Sequence, residues 1–274
     1  MYQNDYEIMF SVIICCFNSE KFIKKTIDSV INQSFKNFEI IIVNDGSTDK
    51  TEKHILDYRK KYNYIKYFRQ KNNGYSAARN LAIENCNTNW VVILDHDDTM
   101  FPDRLKIHYK NILKNPNKKI FFGNCKIIND KSMTNKFEYF YNKNKYIPVD
   151  FNHHNDYFYL LIRYGCFIPS STLAINKDLF NEYKFNEHLK VIADYEFFLK
   201  VAQKNIFFAI DENLITYNSH PNQISNRFKI LEKKELIQLF IKFFSKKNNF
   251  LYKIIILLSI IKNLTLYIKY KIFL

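Results

Sequence analysis

The 274-residue chain carries 41 Lys and Arg against 27 Asp and Glu, a formal net charge of +14, and 47% of its residues are hydrophobic. That length allows one large or two small globular domains with ample core, while five Cys, an odd number with no C-x-x-C pair, suggest neither a disulfide framework nor a zinc site. The excess charge favours phosphates of nucleotides, nucleic acids or anionic lipid, and it is uneven, with 11 Lys and Arg against 2 Glu in residues 226–274.

Asp5 and Glu7 precede the first apolar run, so no signal peptide is visible and a cytoplasmic protein is expected. Residues 10–16, FSVIICC, read as a strand buried on both faces. Asn18 and Ser19 can cap a helix bearing Phe22, Ile23, Ile27, Val30 and Ile31. A second buried strand spans 38–43 and ends at Asn44-Asp45-Gly46-Ser47, after which Thr48 or Asp49 opens a helix through Tyr62. Strand 64–68, a helix from Ser76 to about Asn85, and strand 90–94 continue the alternation. This is the βαβ signature of a parallel sheet.

From residue 100 the pattern loosens. It predicts a helix over 103–114, a strand over 119–128, a polar hairpin or loop to about 150, a helix near 157–164, a strand over 168–175, a helix over 193–202, and a mostly helical segment from Arg227.

The strand at 90–94 runs into Asp95-His96-Asp97-Asp98. Carboxylates this close repel and raise one another's pKa unless a cation lies among them, and a hard divalent ion such as Mg²⁺ or Mn²⁺ prefers such oxygens and shares them with phosphates. A solvated acidic loop, or Asp98 or Thr99 capping the helix before Pro102, is the plain alternative. In open parallel sheets ligands bind beyond the carboxyl ends of the strands. The clusters after Cys16, at Asp45 and at 95–98 all fall there. No glycine-rich dinucleotide fingerprint or P-loop string occurs, which argues against those enzyme classes.

Together the segments SVIICCFNSE (11–20), EIIIVNDGSTDKT (39–51), NNGYSAARN (72–80) and VILDHDDTM (92–100) resemble the family 2 glycosyltransferases of the GT-A fold, closely over residues 10–105 and more loosely to 225. The resemblance implies a Rossmann-like, mostly parallel α/β sheet flanked by helices. Residues 1–110 would form the nucleotide-sugar-binding half, 111–225 the acceptor-binding half, and 226–274 a basic helical C-terminal extension. It places Asp45 at the base of a nucleotide diphosphate sugar, with Phe17 and Glu20 nearby, Arg79 near the nucleotide or its phosphates, Asp95 on the ribose or sugar side, and Asp97 on a Mn²⁺ or Mg²⁺ ion. His96 is read as a neighbour of that site rather than a metal ligand. Without the resemblance, Asp45 could be a turn residue and Arg79 a surface helix charge.

The stretch IADYEFFLK (192–200) resembles the family's segment that opens a helix at the acceptor side, with Asp194 at the position of the catalytic base and Ala193 where an acidic residue is usual. YNSHPNQIS (217–225) puts His220 near the metal or diphosphate, Asn218 replacing the common Arg; a loop histidine is the alternative. In GCFIPSSTLAINKDLF (165–180), Ser170 and Ser171 would line the acceptor pocket and Gly165 would allow close backbone approach. The longest uncharged stretch of the tail, 254–261, is shorter than the roughly 20 residues that span a bilayer. The tail therefore suits an interfacial helix on anionic lipid, a dimer helix, or one packed on the catalytic domain.

The resemblance implies an inverting transfer of one sugar, from a UDP-sugar by family habit, to a growing bacterial surface glycan, free or lipid-linked, and the basic tail suggests the lipid-linked form at the inner face of the membrane. The other reading is a catalytically silent nucleotide-sugar-binding or scaffold protein. No nucleic-acid motif is present, and no nucleic-acid partner is expected.

Overall fold

The computed structural model describes residues 9–129, 132–135, 156–204, 206–220, 223, 227–246 and 249–273. Among these, nine strands form one mixed sheet in the order β3-β2-β1-β4-β8-β6-β9-β5, with β7 paired to β6. The first four are β1 (Phe10–Cys16), β2 (Phe38–Asn44), β3 (Ile65–Arg69) and β4 (Trp90–Asp95), all parallel in register. Every residue of β1 and β2 is buried. Such strands need helices on both faces, supplied by α1 (Ile23–Ile31), α2 (Thr51–Lys61), α3 (Tyr75–Glu84) and α4 (Arg104–Lys114).

Beyond β4 the sheet turns antiparallel. β8 (Ala174–Asn176) joins β4 to β6 (Ile120–Asn129), and β9 (Phe207–Asn218) runs parallel to β6. β5 (Thr99–Met100) crosses from the end of β4 to pair antiparallel with Ile215 and Thr216. That crossing carries the acidic loop of β4 to the end of β9, which positions the site. The hairpin expected after β6 begins with β7 (Ser132–Asn135), and the remainder, to about 150, lies outside the described residues.

The elements come where the periodicity puts them, with a few differences in their bounds and caps. Neither Asn18 nor Ser19 caps α1 with its side chain: Asn18 takes a left-handed φ of +48° and its Oδ1 accepts from Thr48 N, tying two loops together. α2 opens at Thr51, because Asp49 Oδ1 accepts from Thr51 N and ends the loop there. The strand expected over 168–175 shrinks to β8, preceded by the 3₁₀ turn Ser170–Thr172, whose Thr172 hydroxyl bonds Pro169 O. Gly165 follows helix α5 (Tyr157–Tyr164) at φ +85°, a conformation that favours glycine, and its Cβ side is open.

The C-terminal segment is α7 (Lys229–Lys246) and α8 (Phe250–Phe273). Both join the core on the face occupied by α5 and α6 (Ala193–Val201), with Leu236, Leu239, Phe240 and Ile256 buried. Packing on the catalytic unit, one of three expectations, is therefore observed. The short uncharged run of 254–261 lies within a longer helix. Phe250–Ile272 is long and apolar enough, by length and composition only, to cross a membrane, with a mean hydropathy of 1.7 over an 18-residue stretch of it. The lysines interrupt the uncharged run but not the helix.

Candidate active site

Asp95 ends β4, and Asp97 and Asp98 follow in the turn that leads to β5. Asp98 is fully buried; its Oδ1 accepts from Asn218 N at 3.0 Å, while Oδ2 has no hydrogen-bond partner among the described residues. It locks the acidic loop to β9 and does not cap α4, which starts at Arg104. Burial and the Asp97 charge push its carboxyl up to about 7. Asp95 is likewise held well above the usual carboxylate range, by burial and then by Asp98, Asp97 and Asp194. The crowding foreseen in the sequence is real.

The end of β9 delivers the partner of Asp97. His220 Nε2 lies 2.9 Å from Asp97 Oδ2, its ring stacks on Phe22 at 5.0 Å, and Gln223 Nε2 approaches the same oxygen at 3.4 Å. Among the described residues no three His, Cys, Asp or Glu side chains converge at ligand spacing. Among the described residues Asp97 and His220 could give a divalent ion one carboxylate and one imidazole, a small donor set that leaves room for substrate phosphates and water. His96 lies beside them in the cavity wall, where burial holds its imidazole below the usual range.

Arg79 is the counter-charge. Its side chain is 1% exposed, and it pairs with Asp95 at 3.1 Å and with Asp194, near the start of α6. The guanidinium stacks over Tyr75 at 4.1 Å, one turn back on α3, and the Tyr75 hydroxyl also bonds Asp95. The sequence placed Arg79 beside the nucleotide or its phosphates. In the structure its guanidinium pairs with Asp95 and Asp194.

Asp95, His96, Asp97, Ser170, Ser171, Asp194 and His220 share one cavity of about 350 Å³ with Tyr75, Lys190 and Tyr217. Ser171 also accepts from Asp95 N at 3.0 Å and so supports the end of β4. Asp45, Phe17 and Glu20 do not line this cavity; they stand at the ends of β1 and β2. Asp45 is 5% exposed and accepts from Gln70 Nε2, Asn73 N and Gly74 N at 2.7 to 3.0 Å. Phe17 is exposed, and Glu20 accepts from Lys50 N. Gly46 makes the turn after Asp45 at φ +77°, where a Cβ would come within 2.8 Å of Asn72 N.

Sequence reasoning missed Tyr75, Gln70, Gln223 and Glu235. Tyr75 had a signal, since it precedes Arg79 by one helical turn on the same face. Glu235 had none. It lies on α7, distant in sequence, and its carboxylate accepts from the N–H groups of Lys190, Val191 and Ile192 at 2.9 to 3.2 Å, fixing the segment that leads into α6.

A mixed sheet of this order, with an acidic turn at the end of β4 facing a carboxylate at the start of a helix, defines a GT-A glycosyltransferase. The description "Glycosyl transferase family 2" matches residues 11–183, and the chain belongs to that family. It is 34% identical over 234 residues to an uncharacterized glycosyltransferase of Rickettsia typhi, spanning 82% of this chain and 69% of the relative. It is 28% identical to WfgD of Escherichia coli, a UDP-Glc:alpha-D-GlcNAc-diphosphoundecaprenol beta-1,3-glucosyltransferase, over 84% of this chain and 85% of WfgD. Among solved structures it resembles residues 1–349 of S. aureus TarS in complex with UDP-GlcNAc, with TM-score 0.69 and 21% identity over 96% of this chain and 73% of that one.

Proposed function

We propose that the chain transfers one sugar from a UDP-sugar, with inversion, to a hydroxyl of a lipid-linked bacterial surface glycan at the inner face of the membrane. The observation that carries this reading is the single cavity in which Asp194 faces Asp95, Asp97 and His220. Asp194 takes the proton of the acceptor hydroxyl as the oxygen attacks the anomeric carbon. One displacement from the face opposite the leaving diphosphate inverts that carbon, and no covalent enzyme intermediate is needed. Asp97 and His220 would hold Mn²⁺ or Mg²⁺, which supplies positive charge against the departing diphosphate. Asp95 faces the sugar or ribose, kept in place by Arg79, Tyr75 and Ser171. Asp45, Phe17 and Glu20, at the outer end of the cleft, take the base side. The lipid-linked acceptor is supported by WfgD, whose own acceptor is diphosphoundecaprenol-linked, and by the basic tail.

The test is transfer from a panel of UDP-sugars to a synthetic lipid-diphosphate-linked monosaccharide, with the product's anomeric configuration read by NMR. An inverted product is expected. A retained configuration, or tight UDP binding with no turnover of any donor on any such acceptor, would favour the silent-binding alternative or another chemistry.

A further inference from the structure

A second cavity, of about 470 Å³, lies between α5, the start of α6, α7 and α8. It meets the first at Cys166, Val191 and Asp194, which line both. Its walls are largely apolar, built from residues such as Ile162, Leu236, Ile255 and Leu258, and its rim carries Arg163, Lys233 and Lys262. Lys233 pairs with Glu232 at 2.8 Å, whereas neither Arg163 nor Lys262 forms an ion pair among the described residues. Two free cations over an apolar chamber match an amphiphile with an anionic head.

The outer face of α8 extends the match. Leu251, Ile254, Leu257, Leu258, Ile261, Leu264, Ile268 and Ile272 are all exposed, and most fall on one helical stripe. Only 11% of its apolar window is buried within the protein. An apolar stripe of this length on a helix rich in Lys fits the boundary between headgroups and acyl chains. It places the mouth of the cavity where a membrane-held substrate would arrive.

We infer that the cavity between α7, α8 and the start of α6 is the acceptor's lipid-diphosphate subsite: Arg163 and Lys262 receive the diphosphate, the apolar walls receive the first isoprenoid units, and the attached sugar reaches Asp194. This rests on the transferase reading for the identity of the sugar-bearing end, but the binding of the lipid diphosphate does not. The volume lies within the few hundred Å³ typical of small-ligand pockets, and the contact of the two cavities at Asp194 gives the bound acceptor a direct route to the base.

The test uses the full chain and geranylgeranyl diphosphate as probe, with binding measured by equilibrium dialysis in dilute neutral detergent. The double variant Arg163→Ala/Lys262→Ala should weaken binding at least tenfold, while Lys269→Ala, on the same helix outside the cavity, should keep wild-type affinity. Saturating UDP should leave the probe bound, and geranylgeraniol, lacking the diphosphate, should bind much more weakly. Melting curves of the variants confirm that they fold. Affinity unchanged in the double variant, displacement of the probe by UDP, or equal binding of inorganic diphosphate would overturn the assignment, as would a concentration-dependent dimer that excludes the probe. A failure of the transferase reading shows separately, as absence of UDP binding or sugar transfer while the lipid probe still binds.

Discussion

At the scale of single residues, the site is organised by Arg79, buried between Asp95 and Asp194. Removing it leaves two carboxylates facing one another without their counter-charge. Because both acids are partly exposed, the cost falls below that of a fully buried pair: Arg79→Met should lose about 1–3 kcal/mol in urea denaturation. A stability within experimental error of wild type would contradict this role. Asp194→Asn keeps the shape and the contact to Arg79 but cannot take a proton, so kcat for transfer should fall by about 10² to 10⁴ with little change in donor KM. A variant retaining most of its kcat would move the base elsewhere, with Glu196, 1% exposed and paired with Lys200, a poor substitute.

At the scale of elements, two contacts hold distant pieces in register. Glu39 on β2 accepts from the Ser11 hydroxyl of β1, from Asn87 N before β4 and from Lys66 of β3, clasping the inlet ends of four strands. Burial alone would raise its carboxyl, yet these bonds and the Lys66 charge leave it below the usual carboxylate value of 4.5. A group depressed in the folded state contributes stability above its unfolded pKa and loses it as the pH falls through the folded value. Stability should therefore decline below about pH 4.5 in part through Glu39, and Glu39→Gln should flatten that decline in urea titrations between pH 7 and pH 3. An equally steep decline in the variant would remove Glu39 from the account. Glu235 plays the same part for α6. Glu235→Ala leaves three backbone N–H groups without acceptors, which should cost about 1–3 kcal/mol and lower kcat more than it raises donor KM, because the helix carrying Asp194 loses its anchor. A loss confined to stability would show that α7 supports the fold without positioning the base.

At the scale of the whole molecule, the N-terminal half was legible because local pattern and global fold agree there. Strands buried on both faces read as continuous apolar runs, and β1 to β4 came out within a residue or two. The site was legible where one segment carries it, as at 95–98. What the sequence did not give up depends on tertiary contact: that Asp98 bonds the end of β9, that Arg79 reaches Asp194 across 115 residues, and that Glu235 on the tail steadies the segment leading into α6. The strand expected over 168–175 failed for the same reason, since Ser-Ser-Thr turns into a 3₁₀ segment to support the end of β4. The length of α8 was not legible from its uncharged stretch, because Lys253, Lys262, Lys269 and Lys271 interrupt the apolar run without breaking the helix.

The central claim is that the acidic turn after β4 and the carboxylate at the start of α6 form one metal-supported transfer site. The most direct measurement is UDP release from a panel of UDP-sugars with Mn²⁺, with Mg²⁺ or with EDTA, for the wild type beside Asp97→Ala and Asp194→Ala. The account predicts release from at least one donor that EDTA abolishes, that Asp97→Ala reduces to background with either ion, and that Asp194→Ala lowers by about 10² or more in the presence of acceptor. Release that survives EDTA and both substitutions would contradict it.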